Sequence, residues 1–455
     1  MSNVQRFPKY RCNNKEENLM NENFKYKMEL TDEEVAILHG SEGETMAKVM
    51  KTLVLYGDAF SAKRFVPVTG MGHLVTSFGI SVLKPVFSIM DELINAGLKV
   101  DEKFTVDPRP IDYANVKCNP LQKIVFNKVL YGMQAPYEKQ LNALGLKNAN
   151  AFTCASYFDE VGNKPKKGDV LSWAESSAVV YANSVLGARC NRNSGIIELF
   201  GSILGKVPEF DLLTDEGRKA KWIIEVKTSK IPEAQVLGSA IGMKVMEDVP
   251  YVKGLDKWIG TELNDDAKAY LKDFGAATAS NGAVGLYHIE NLTPEAVELG
   301  ESLINDDAKT YVIDDAELER VYKSYPVMWK DKNAAPKLCF IGCPHLSFAQ
   351  LGEWAQRFDK EMKAQGKDKV GIRTIMTTAP DVLEKFRREN RADYDKLIGF
   401  GIKLTSICPL MYMNNPLCGG DTSNVITCSN KLRTYTTARY FTTDDITKIA
   451  VKGGF

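Results

Sequence analysis

Between Trp173 and Arg192 the chain reads W-A-E-S-S-A-V-V-Y-A-N-S-V-L-G-A-R-C-N-R, which sets Glu175, Ser176, Ser177, Asn183, Ser184, Arg189 and Arg192 in a frame of Ala178, Val179, Val180, Val185 and Leu186. Polar groups in so apolar a setting must be satisfied by one another, by backbone or by a ligand. With helical periodicity Ser176, Val179, Val180, Asn183 and Leu186 share one stripe. The stretch is therefore either a core helix whose Ser and Asn bond backbone carbonyls, or a helix whose polar seam takes a ligand.

A second source of chemistry is sulfur. Of nine cysteines, Cys154, Cys343 and Cys408 stand at or near the ends of β-prone runs over 147–158, 337–342 and 402–408. In open α/β sheets ligands gather beyond the carboxyl ends of strands. Three separated thiols, rather than C-x-x-C pairs, argue against structural zinc. They suit an iron–sulfur cluster with one iron left open, or else they are inert buried thiols. Ser347 and Gln350 form a capping box for a helix over 348–358, which puts Cys343, Pro344 and His345 at a strand–helix turn whose dipole favours a thiolate. Cys339 falls inside the strand and belongs to the core; Cys12 sits in a polar extension, and Cys118 and Cys418 stand beside turn residues.

The elements that must position these groups follow from capping and periodicity. Thr31 and Glu34 open one helix with a capping box, and a second runs from about Glu44 to Leu55. An apolar strand over 64–68 delivers Thr69-Gly-Met-Gly-His73 as a glycine-containing loop, where His73 either orients the loop or bonds a substrate. Ile223-Ile-Glu-Val alternates as a strand, and Thr293-Pro294 is an N-cap followed by proline at the first helical position.

A chain of 455 residues exceeds what one hydrophobic core supports, so two or three α/β subdomains are expected. It carries 58 basic and 58 acidic residues, which removes any general electrostatic drive toward nucleic acid or an anionic membrane. No apolar run approaches the roughly 18 residues of a membrane span. The odd cysteine count and the lack of a signal peptide indicate reduced thiols in the cytoplasm. Residues 1–27 are a polar, Asn-rich extension. No P-loop, G-x-G-x-x-G, H-E-x-x-H or G-x-S-x-G motif occurs, and there is no internal repeat.

From Met28 onward, ordered motifs carry a further signal: M-E-L-T-D-E-E-V-A-I-L-H-G at 28–40, F-V-P-V-T-G-M-G-H at 65–73, T-C-A-S-Y-F from Thr153, the stretch at Trp173, I-G-C-P-H-L-S from Ile341, Cys408 after a strand, and T-C-S-N-K-L-R-T-Y from Thr427. Together they resemble the aconitase X family, iron–sulfur hydro-lyases distantly related to aconitase. The resemblance implies an aconitase-like catalytic region of two to three α/β subdomains, with parallel or mixed sheets flanked by helices, divided near 28–150, 151–335 and 336–455 and lacking the small swivel domain. The chain departs from the family pattern at Asp107, where the family more often has Asn, and at Cys190, Cys428 and Thr434. Arg109 adds a charge beside the first departure.

What the resemblance implies chemically is removal of water from a small hydroxy acid. Cys154, Cys343 and Cys408 would hold the cluster, whose open iron is a Lewis acid for the departing hydroxide. Glu175 would transfer the proton, its pKa raised by burial, with Ser176 and Lys431 beside it. His73, Thr105, Asn183, Arg189 and Ser429 would contact the substrate. Family members also use a small swivel domain, fused or encoded separately, and since this chain ends soon after Lys431 a separate small subunit is the expected partner. The substrate is expected to be cis-3-hydroxy-L-proline, with mevalonate 5-phosphate as the alternative and Arg109 as a candidate phosphate contact. A non-catalytic cluster-binding or scaffold relative and a zinc-structural protein are the readings from other classes.

Overall fold

The computed structural model describes residues 24–77, 79–80, 83–116, 119–413 and 424–455; Cys12, Cys118, Cys418 and most of the 1–27 extension lie outside them. Two parallel sheets dominate. In one, strands His288–Ile289, Pro250–Lys253, Ala220–Val226 and Ile304–Ile313 lie side by side in that order. In the other the order is Lys403–Thr405, Arg373–Thr378, Leu338–Leu346, Val425–Thr427, Arg439–Tyr440. Strand Leu338–Leu346 is buried along its whole length, as a central parallel strand covered on both faces must be. This is the α/β architecture expected from the sequence.

Two small ladders complete the fold near the site. Phe65–Pro67 pairs antiparallel with Lys206–Pro208, and Gly72–Leu74 pairs parallel with Phe104–Val106, placing His73 opposite Thr105. The run over 147–158, expected as a strand, forms only isolated bridges, Leu146 to Phe104 and Phe152 to Val106. Cys154 thus lies in a loop, because the short Phe104–Val106 strand offers no longer edge to pair with.

Helix starts follow their caps. Thr31 accepts from Glu34 N at 3.3 Å while Glu34 returns to Thr31 N at 3.0 Å. Ser347 and Gln350 do the same at 3.2 and 3.1 Å, although their helix continues to Gln365, where Gly366 turns it off with φ +61°. The second helix likewise outlasts its expected end, spanning Glu44–Ala59.

One long helix, Asp265–Asn281, ties the lobes together. It packs against helix Ala234–Val245 so closely that a Cβ on Gly238 would stand 2.3 Å from the Phe274 carbonyl oxygen. The same helix touches helices Ser176–Ser184 and Asn430–Tyr435. Its Lys272 donates to the His345 carbonyl at 2.9 Å, and its Asp273 accepts from Gln350 at 3.0 Å. The segments carrying Glu175, Lys431 and Cys343 are therefore braced by one rigid element.

Candidate active site

Glu175 is the N-cap of helix Ser176–Ser184. Its Oε2 accepts from the Ala178 amide at 2.6 Å and from the Ser177 hydroxyl at 2.7 Å, and its Oε1 takes the Lys431 ammonium. Lys431 also donates to Ser177 Oγ at 3.2 Å. Both charges are buried, 3% and 7% exposed. Burial alone would raise the Glu175 pKa, but the Lys431 charge and these hydrogen bonds hold it below the ordinary value. The expected elevation is thus corrected: the carboxylate is ionised and its oxygens are engaged. Burial likewise opposes the Lys431 charge, yet Glu175 and the nearby Cys343, Cys154 and Asp107 raise its pKa. Ser177, which had been given no role, joins the pair, whereas Ser176 is half-buried at the helix start. An acidic N-cap followed by serine in the first turn was the available signal.

The three thiols approach this pair from three segments. Burial pushes Cys154 well up, with Glu175, Asp107, Lys431 and Cys343 all within electrostatic reach. Cys343 rises to about 11 through burial, against the opposing Lys431 charge. Cys408 rises to about 12 through burial and Cys343. The thiolate expected at Cys343 is therefore not favoured by the protein alone: the residue lies within the strand Leu338–Leu346 rather than at a helix start, and burial outweighs any dipole. Each thiol segment is pinned. The His345 amide points to Cys154 Sγ at 3.4 Å, the Cys408 amide donates to the Arg109 carbonyl at 2.8 Å, and the Ser429 hydroxyl donates to the Cys343 carbonyl. Cys339 is buried in the core and Cys190 packs with Trp173.

Among the described residues no group of three or more His, Cys, Asp and Glu is gathered closely enough to hold a metal ion. Cys154, Cys343 and Cys408 are unpaired, with Cys343 in electrostatic reach of the other two, a three-thiol donor set that fits an iron–sulfur cluster with one iron left open.

On the opposite wall, His73 is fully buried with its Nδ1 2.8 Å from Thr105 Oγ1 and its Nε2 3.4 Å from Asp107 Oδ1. Its ring meets Trp173 edge-on at 5.5 Å between centroids. Asn163 reaches Thr105 Oγ1 at 2.8 Å. Burial pushes the Asp107 carboxyl up to about 6; His73 opposes this, Glu175 adds to it and Lys431 opposes it. Asp107, noted in the sequence as a departure, is thus a carboxyl within electrostatic reach of Glu175 and Lys431.

Several expected substrate contacts are engaged elsewhere. The Asn183 carboxamide donates to the Cys190 and Gly285 carbonyls and accepts from the Cys190 amide, all at 2.8 Å. Arg189 donates to the Leu213 carbonyl and pairs with exposed Asp215. These two residues shape the loop after the helix and are not brought to the pocket. Ser429 is the N-cap of helix Asn430–Tyr435, accepting from Leu432 N at 3.1 Å, so it holds the lysine and Cys343 in place. His73 and Thr105 bond each other. Arg109 is neutralised by Glu138 at 2.9 and 3.0 Å and stacked 3.7 Å from the Phe152 ring centroid, which leaves it no free fork for phosphate. None of the helices among the described residues is long and apolar enough to cross a membrane.

Comparison with known proteins bears on what this site does. Residues 27–216 match the model of the aconitase X first domain and residues 220–323 that of its second domain. The phosphomevalonate dehydratase large subunit of Thermococcus kodakarensis is 33% identical over 72% of this chain and 77% of its own. The cis-3-hydroxy-L-proline dehydratase of Hypocrea jecorina is 25% identical over 90% of this chain and 65% of its own. The crystal structure of Thermococcus kodakaraensis aconitase X in its holo-form superimposes with a TM-score of 0.75 at 27% identity, covering 93% of this chain and 100% of that one.

Proposed function

The chain belongs to the aconitase X family, a family of dehydratases, and from that premise we propose that it is the large subunit of a hydro-lyase that removes water from cis-3-hydroxy-L-proline. The observation that carries the reading is that the buried Glu175–Lys431 pair lies within electrostatic reach of Cys154, Cys343, Cys408 and Asp107. Names of relatives as dehydratases speak against the scaffold and zinc-structural alternatives.

Cys154, Cys343 and Cys408 would hold an iron–sulfur cluster, which when bound supplies the Lewis acid that makes hydroxide a competent leaving group. Lys431, kept charged by Glu175, binds the substrate carboxylate and offsets the negative charge that grows as the neighbouring proton passes to the Asp107 carboxylate. Glu175, ionised and bonded on both oxygens, holds that ammonium in place with Ser177. Asp107 presents an acceptor for a substrate N–H or O–H. Closure by a separate small subunit, as the large-subunit names of relatives suggest, would exclude water from the site. Six free cysteines among the described residues suit a reducing cytoplasm.

The Asp107 carboxyl favours a substrate with an amine over one with a phosphate, and Arg109 is already paired. The second reading, phosphomevalonate dehydration, is supported by the several relatives so named. The test is anaerobic co-expression with a small subunit, iron and labile sulfide analysis, and assay with both substrates. Iron and sulfide with turnover of the hydroxyproline support the reading; turnover of mevalonate 5-phosphate alone replaces the substrate, and zinc or no metal removes the mechanism.

A further inference from the structure

The wall opposite Lys431 carries an ordered set of hydrogen bonds whose direction can be derived. Asn163 Nδ2 lies 2.9 Å from the Gly72 carbonyl and 2.8 Å from Thr105 Oγ1. A carbonyl only accepts, so the amide nitrogen must face Gly72, and its second N–H is then aimed at Thr105. Thr105 also has one proton to give, and among the described contacts the acceptor in its reach is His73 Nδ1 at 2.8 Å. That nitrogen holds a lone pair, so in the neutral ring the proton sits on Nε2. Nε2 lies 3.4 Å from Asp107 Oδ1 in an ion-pair contact, and neither atom makes a hydrogen bond among the described residues.

Backbone geometry puts the four groups in line. His73 and Thr105 are register partners on parallel strands. Asp107 follows Thr105 by two positions, hence on the same face, and its amide continues the ladder by donating to the Leu74 carbonyl at 2.9 Å. Thr105 and His73 are fully buried and Asn163 is 3% exposed, while the Asp107 side chain retains 18% exposure. Of the four, Asp107 alone keeps a partly exposed side chain.

We propose that Asn163, Thr105 and His73 form a positioning relay that fixes His73 as the Nε2–H tautomer and thereby aims the Asp107 carboxylate at the substrate. His73 and Thr105 are then positioning residues rather than substrate ligands, and Asp107 is the group that meets the substrate's donor. The catalytic part of this inference rests on the proposed dehydration; the tautomer does not.

The chain has four histidines, so ¹⁵N-histidine labelling of the full chain and long-range ¹H–¹⁵N correlation resolve each ring, with His73→Gln assigning the signal. The expected result is Nε2–H for His73 in the wild type and in Thr105→Ser, with a shifted Nδ1 resonance in Thr105→Val, where Nδ1 no longer accepts a hydrogen bond. An Nδ1–H ring in the wild type overturns the relay whether or not Thr105→Val folds, as does an unshifted Nδ1 resonance in that variant. In the assembled enzyme Thr105→Val should lower kcat about 100-fold with KM nearly unchanged, and Thr105→Ser should restore it. A rise in KM at constant kcat would instead make these residues substrate ligands. If the wild-type complex turns over neither substrate while the ring is Nε2–H, the proposed function fails and the relay stands.

Discussion

Lys431 lies in the first turn of helix Asn430–Tyr435 and bonds the carboxylate of Glu175, which caps helix Ser176–Ser184 from a position 256 residues earlier in the chain. The contact joins two lobes through a buried charge pair, and it sets the electrostatics of the pocket because both partners remain ionised.

Removing one partner leaves an uncompensated buried charge. Lys431→Met or Glu175→Gln should destabilise the chain by roughly 3–5 kcal/mol, with the double variant recovering much of that loss in denaturant titrations. All three should be inactive. A single variant as stable as the wild type would show that the pair is solvated in solution.

The three thiols should be separable from their buried neighbours by metal analysis. Cys343→Ala, Cys154→Ala and Cys408→Ala purified without air should each lose iron and labile sulfide. Cys339→Ala, one strand turn away in the same strand but packed in the core, should keep both. Iron retained in Cys343→Ala would remove that residue from the ligand set.

Arg109 should matter to stability rather than to substrate. Because it is bonded to Glu138 and stacked on Phe152, Arg109→Ala should lower the melting temperature while leaving KM for either substrate within about threefold, below 1 kcal/mol of binding. A selective rise in KM for mevalonate 5-phosphate would favour the phosphate reading.

His288 should make the fold acid-sensitive. Burial lowers its pKa to about 4, against the Arg218 carbonyl that accepts from Nε2 at 2.8 Å and the Glu295 charge. The folded state keeps the ring neutral while the unfolded chain takes up a proton below about pH 6.5. Stability from this group is therefore full at neutral pH and falls as pH drops from about 6.5 to about 4, by at most about 1.4 kcal/mol per pH unit. His288→Asn should flatten that part of the profile in urea titrations at successive pH values.

Gly238→Ala should pry apart the helix pair that braces the site. Its Cβ would meet the Phe274 carbonyl oxygen at 2.3 Å and the Ala277 Cβ at 2.9 Å, so a loss of about 1–3 kcal/mol is expected, seen as a lower denaturant midpoint. An unchanged midpoint would mean that the helices separate at little cost.

Local signals in the sequence determined the α/β class, the capped starts of helices at Thr31, Thr293 and Ser347, the core character of Cys339, and, through ordered motifs, the family. These depend on neighbours a few residues apart, where periodicity and capping chemistry are written directly into the chain. Tertiary structure alone decided how the polar residues are used. Asn183 and Arg189 share the helical stretch with Glu175, yet the loop carbonyls of Cys190, Gly285 and Leu213 take them. The Glu175 pKa falls rather than rises because Lys431 arrives from the far end of the chain. Cys343 is a buried thiol because its strand runs on through it. Asp107 acquires a role because a two-strand ladder sets His73 beside Thr105. Long-range packing chooses each side chain's partner, and spacing along the chain carries no record of that choice.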